Sequence, residues 1–187
     1  MKSLWGIIPD GLSKEQINDI LLESTKYKSE EGFMQLTEGN TINSEVRRSQ
    51  IKFFDKLKSK HITDLVYYFA QDINRTHFGF DISSVQDIQY TEYSGEDKGF
   101  YGWHQDINWC NSEFHRKISI TIQLSNSEDY EGGDLELETG WEDVPLSTIR
   151  KQGTMIFFPS FVSHRVTPVT KGLRKSLVVW IDGVAFR

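Results

Sequence analysis

From residue 81 onward the apolar residues recur at every second position in short runs, and turn residues cut those runs apart. Expected strands cover residues 85–93, 101–106, 117–124, 134–137, 154–158, 164–169 and 175–181. Between them stand Ser94-Gly95-Glu96-Asp97, Glu131-Gly132-Gly133, Gln152-Gly153 and Thr170-Lys171-Gly172, whose glycines and small polar residues favour turns. Many short strands so spaced predict a sandwich, barrel or jelly roll. Before residue 81 the spacing is helical. Ser13 can cap a helix whose stripe is Ile17, Ile20 and Leu21, and residues 63–76 carry Leu65, Val66, Phe69, Ala70 and Ile73 on one side. Residues 46–54 read as a short strand or a mixed segment. The expected fold class is α+β, mainly β. Helices of region 1–83 buttress a β region over 84–187, and at 187 residues both belong to one unit.

Charge and cysteine content narrow the function classes. With 21 Lys+Arg against 27 Asp+Glu the chain carries a formal charge of −6, which disfavours wholesale binding to nucleic acid. The excess sits in residues 128–143: Glu128, Asp129, Glu131, Asp134, Glu136, Glu138, Glu142 and Asp143 read as a solvated face or as an acidic rim for a cationic substrate. Cys110 is the single cysteine, which excludes an intramolecular disulfide and a multi-cysteine zinc site and fits a reducing compartment. The apolar start is too short for a signal peptide and no run reaches membrane-spanning length, so a cytoplasmic, soluble protein is expected.

The chemistry starts at His104-Gln105-Asp106. Side chains at i and i+2 of a strand share a side, so an imidazole and a carboxylate can converge there. Five histidines and 13 aspartates supply roughly a third of one such pair per chain by chance, so the tripeptide alone is weak. A third ligand strengthens it. His61 and His77 lie in the helical half and His115 in a polar loop, where surface or structural roles are commoner. His164 opens a strand right after the apolar stretch 155–162, where an inward imidazole is costly unless bonded. Two histidines and one carboxylate on one face are the ligand set of non-heme Fe(II) oxygenases. Arg174 follows across a turn, and alternation would send Ser176, Val178 and Trp180 to the same side. A guanidinium buried among apolar strands needs an anion, and its planar fork suits a carboxylate. The strand 118–124 has one face of Ile118, Ile120, Ile122 and Leu124 and another of Ser119, Thr121 and Gln123. Its alternation fits apolar-in, polar-to-solvent or the inverse, with polar residues lining a cavity; the Arg174 argument favours the inverse.

Taken in order, these residues make a longer pattern: Tyr93…Tyr101-x-x-His104-x-Asp106; Arg116-Lys117 leading the 118–124 strand; Tyr130-Glu131-Gly132-Gly133-Asp134-Leu135-Glu136-Leu137; and Phe158-Pro159-Ser160…His164-Arg165-Val166-x-Pro168-Val169-x-x-Gly172-x-Arg174-x-Ser176…Trp180. This set resembles the 2-oxoglutarate- and Fe(II)-dependent dioxygenases, prolyl 4-hydroxylase-like branch, over roughly residues 84–184. Val46-Arg47-Arg48-Ser49 and residues 74–82 look similar as well. The resemblance implies a double-stranded β-helix, with Fe(II) held by His104, Asp106 and His164. It implies that 2-oxoglutarate chelates the iron while Arg174 holds its 5-carboxylate. Tyr93 matches a tyrosine that helps bind this cosubstrate, and Ser176 and Trp180 match pocket-lining positions. Gln123 stands at a cosubstrate-contacting position where several relatives carry tyrosine. Ascorbate, which keeps iron reduced, is a further implied cofactor. Asp106 separates the chain from halogenating relatives, which have a small residue there. Trp180 separates it from nucleic-acid-repair relatives, which have an arginine.

Four functions compete. The first is hydroxylation of an amino-acid side chain, foremost proline in a peptide or protein, with release of succinate and CO2. The second applies the same chemistry to a small metabolite or lipid. The third is a non-catalytic jelly-roll module holding a structural metal, and the fourth is hydrolysis at zinc. Arg174 has no purpose in the last two. Substrate choice rests on loops such as 95–99, 108–115 and 141–145, where Trp103, Trp109 and Trp141 are either an aromatic platform or packing residues.

Overall fold

The computed structural model describes residues 1–32, 34–36, 39–111, 113–140 and 144–187, with the side chains of 34–36 and 39–40 outside that description. In chain order the elements are β1 (Gly6–Ile8), α1 (Lys14–Ser24), β2 (Glu30–Glu31), β3 (Met34–Leu36), β4 (Gly39–Thr41), β5 (Arg47–Arg48), β6 (Gln50–Phe53), α2 (Lys60–Ile73), a π-helical turn (Asn74–Phe78), β7 (Ser84–Ser94), β8 (Phe100–His104), β9 (Phe114–Gln123), β10 (Tyr130–Gly132), β11 (Leu135–Leu137), α3 (Leu146–Ile149), β12 (Met155–Pro159), β13 (His164–Val166) and β14 (Val169–Val184). Among the described residues no helix is long and apolar enough to cross a membrane.

Ser13 opens α1 through a capping box: its hydroxyl accepts the Gln16 N–H, and the Gln16 side chain accepts the Ser13 N–H at 2.8 Å. The second helix starts three residues earlier than the spacing predicts and gives way at Asn74 to the wider π turn. The Asn74 side chain explains the change, because it bonds both the carbonyl and the N–H of Phe80 and draws the chain out of the α register. The stretch 46–54 divides at Ser49, one part joining each sheet. Five short strands among the described residues, β1, β2, β3, β4 and β10, escape the sequence reading. β1 is only three residues long, and β10 lies where the glycines suggest a turn.

The main sheet runs in the order β1-β12-β9-β14-β7-β6-β2, with β10 also on β14; the second is β11-β13-β8-β5. All these pairings are antiparallel, and the two sheets face each other as a double-stranded β-helix. Ile118, Ile120 and Ile122 of β9 point to the helices and are fully buried against a core that includes Ile20, Ile62 and Val66. Ser119, Thr121 and Gln123 therefore face the space between the sheets, buried as well. This is the inverse arrangement of polar and apolar faces. A second core, with Phe158, Leu135, Val166 and Val169, fills part of that inter-sheet space. β14 is far longer than the expected 175–181. It bends at Gly172 (φ 73°) but stays paired through the apparent turn, with Gly172 opposite Tyr130 and Leu173 opposite Ser94.

Candidate active site

His104 and His164 are direct cross-strand partners on β8 and β13, so register alone brings their rings to 4.1 Å between centroids. Asp106 arrives differently from the expected strand geometry. β8 ends at His104, and the Asp106 and Ile107 N–H groups both donate to the Ser160 carbonyl just past β12. That anchor turns the carboxylate toward both imidazoles, Oδ1 3.6 Å from His104 Nε2 and Oδ2 3.4 Å from His164 Nε2. The ligand-capable atoms of the three residues lie within 4.8 Å of one another, the one such cluster among the described residues.

The surroundings set protonation. Nδ1 of His104 faces the Gly102 carbonyl at 2.8 Å and Nδ1 of His164 the Val162 carbonyl at 3.0 Å. A carbonyl only accepts, so each Nδ1 carries the proton and each Nε2 offers a lone pair. Burial first, and the neighbouring His164 second, hold the His104 pKa well below the ordinary imidazole range, which keeps it neutral. Burial alone would raise the Asp106 pKa. His164 and His104, with Arg116 and the Ser119 hydroxyl, outweigh it and keep the carboxyl ionised. Two imidazoles that each offer an Nε2 lone pair and one carboxylate suit a divalent first-row metal such as Fe(II).

A second layer holds the first. The fully buried Ser119 donates to Asp106 Oδ2 at 2.6 Å, and its single proton is then spent, so Ser160 donates to Ser119 at 2.9 Å. Tyr101 stacks on His104 (3.5 Å, 18°), and the Arg47 guanidinium covers the Tyr101 ring at 4.5 Å. Burial pushes the Tyr101 pKa up to about 12. Ser119→Ala is expected to weaken divalent-metal binding about 10-fold, because outer-layer partners of metal ligands are typically worth that much. A Mn(II) titration checks it, and unchanged affinity would remove Ser119 from any orienting role.

Arg174 points inward from β14 and is 3% exposed, with Nη1 lacking a hydrogen-bond partner among the described residues and the guanidinium 5.5 Å from the Tyr93 ring centroid. Ser176 is paired with Gln123 and Thr91 on the flanking strands, and all three are buried. Trp180, further along, lies under the Arg116 guanidinium at 4.2 Å, with its own Nε1 unpartnered among the described residues. Gly133, at φ 64°, makes room for the arginine. A Cβ there would sit 2.7 Å from Val169 Cγ2 and 3.0 Å from Arg174 Cδ. The structure thus brings His104, Asp106 and His164 together and turns Tyr93, Gln123, Arg174, Ser176 and Trp180 into buried surroundings. Tyr101, Ser160 and Tyr130 had no assigned part in the sequence reading. The glycine pair 132–133 was the signal for Tyr130, since such glycines mark a close approach.

The remaining histidines have other partners: His61 pairs with Asp19, His77 with Thr76, and His115 with the Asn111 carbonyl and the Phe186 N–H. Trp103 and Trp109 are half exposed, Trp103 beneath Arg165 and Trp109 against His115 and Phe186. In the acidic segment Asp134 pairs with Arg150, Glu136 with Arg165 and Glu131 with Lys171. Ser112, Trp141, Glu142 and Asp143 lie outside the described residues.

Comparison with known proteins agrees with this geometry. Residues 88–182 match the 2OG-Fe(II) oxygenase superfamily. A PKHD-type hydroxylase of Acinetobacter baumannii (strain AYE) is 30% identical over 188 residues, covering 95% of this chain and 77% of the relative. A Pseudomonas putida prolyl-4-hydroxylase shares the fold at a TM-score of 0.72, with 18% identity over 95% of this chain and 92% of that one. So does a Trichoplax adhaerens prolyl hydroxylase solved with a hypoxia inducible factor peptide fragment, at a TM-score of 0.75, 19% identity, and 96% and 83% coverage. The chain belongs to the 2OG-Fe(II) oxygenase superfamily and is an Fe(II)- and 2-oxoglutarate-using oxygenase with the fold of the prolyl hydroxylases.

Proposed function

We propose that this oxygenase hydroxylates an unactivated C–H of a prolyl, or other amino-acid, residue in a peptide or protein. In the balanced reaction one oxygen atom of O2 enters the substrate C–H and the other enters succinate, while 2-oxoglutarate loses CO2. Bound Fe(II) supplies the redox chemistry that couples these two oxidations. His104 and His164 hold the metal through Nε2 and Asp106 through its carboxylate, oriented by Ser119. Arg174 anchors the distal carboxylate of 2-oxoglutarate, and Tyr93, Gln123, Ser176 and Trp180 wall the pocket and keep water out. Ascorbate serves to keep the iron reduced between turnovers.

One observation carries the reading: a ligand trio and a buried arginine with an unpartnered Nη1 line the same inter-sheet space. A structural metal site or a zinc hydrolase gives that arginine nothing to bind. Support for a peptide substrate comes from the Trichoplax enzyme, solved with a peptide fragment. Mass spectrometry of candidate peptides after aerobic incubation with Fe(II) and 2-oxoglutarate tests it. One added oxygen on a peptide side chain, with matching succinate, is the expected result. Oxygen added only to small molecules would move the substrate to a metabolite or lipid.

A further inference from the structure

Tyr130, at the start of β10, is 3% exposed and its hydroxyl lies inside the protein. Gln123 Nε2 donates to that hydroxyl oxygen at 3.0 Å. The phenol proton then has no protein acceptor among the described residues. A buried donor left in this state is costly, and the same holds for Nη1 of Arg174.

The two side chains are neighbours. The point where a Cβ on Gly133 would stand is 3.4 Å from Tyr130 Cε2 and 3.0 Å from Arg174 Cδ, so the ring and the arginine stem flank one glycine. The ring is also held from outside. The Arg150 guanidinium covers it at 4.6 Å and donates to the Tyr130 carbonyl, while Asp134 balances the Arg150 charge. A phenol held by Gln123 and Arg150 and the buried Arg174 guanidinium, each with a hydrogen to give, offer two donors to one anionic group.

We infer that Tyr130 is a cosubstrate-binding residue, donating its phenol proton to the carboxylate that Arg174 holds, with Gln123 fixing the hydroxyl. This rests on the reading of Arg174 as the anchor of 2-oxoglutarate. The test is anaerobic titration of the Fe(II)-loaded protein by calorimetry, using 2-oxoglutarate and the monoacid 2-oxopentanoate, which has a methyl in place of the distal carboxylate. Tyr130→Phe is expected to weaken 2-oxoglutarate about 10-fold or more, the usual worth of a hydrogen bond to a charged group. It should leave 2-oxopentanoate unchanged. Gln123→Met should show the same pattern with a smaller loss, and it carries the test if Tyr130→Phe fails to fold by thermal melting. Wild-type 2-oxoglutarate affinity in both variants would overturn the inference. So would equal weakening of diacid and monoacid, which marks a packing role. Arg174→Lys separates the two readings: if it too binds 2-oxoglutarate like the wild type, the anchor itself is misassigned.

Discussion

Asp106→Ala will give a folded protein whose succinate release falls to background. The carboxylate is the one anionic donor in the trio, and without it two imidazoles hold Fe(II) poorly. The loss of metal affinity should exceed the roughly 10- to 100-fold that follows removal of an outer-layer partner. The fold should survive, because the Asp106 side chain is 7% exposed and bonded to Ser119, and Ser119 keeps its bond to Ser160. Removing a charge that burial penalises also removes a desolvation cost. Circular dichroism and a thermal melt establish the fold, a Mn(II) titration the metal site, and a coupled succinate assay the turnover. Undiminished turnover in this variant would refute the ligand assignment.

Arg174→Lys keeps the charge and discards the fork. Lysine offers a compact ammonium that cannot place two parallel N–H bonds on a carboxylate. The KM for 2-oxoglutarate should rise about 10- to 100-fold, the equivalent of one lost charge-assisted hydrogen bond. The maximal rate at saturating cosubstrate should change less, because the anchored carboxylate lies away from the reacting carbons. Steady-state kinetics with peptide held constant read both quantities. An unchanged KM would place the anchor on another residue.

Much of this architecture is legible in the residues. Alternation along 117–124 and 175–181 marks the two strands that carry the pocket wall, and Ser13 marks the start of α1. What escapes is set by partners far away in sequence. Nothing within 101–106 says that the strand stops at His104; the Ser160 carbonyl decides it by claiming the next two N–H groups. Alternation in 118–124 leaves two orientations open; the need of a buried Arg174 for an anion favours the polar-inside one, and the helices packed on Ile118, Ile120 and Ile122 fix it. Ser160 looks like a turn residue until its hydroxyl is seen on Ser119. Gly172 looks like a turn because pairing on both sides of a bent strand leaves no local trace.

That strand has a consequence for selectivity. Arg174 and Trp180 ride on one 16-residue strand hydrogen-bonded to β7 on one edge and to β9 on the other. Six residues of extended chain fix their separation at about 20 Å. Shifting the guanidinium along this axis would mean sliding the whole rod past both neighbours, breaking ladders on each edge together. In the proposed site Arg174 cannot slide along β14 to meet a diacid of another length, so any adjustment must come from the opposite sheet, where His104 and His164 sit on β8 and β13.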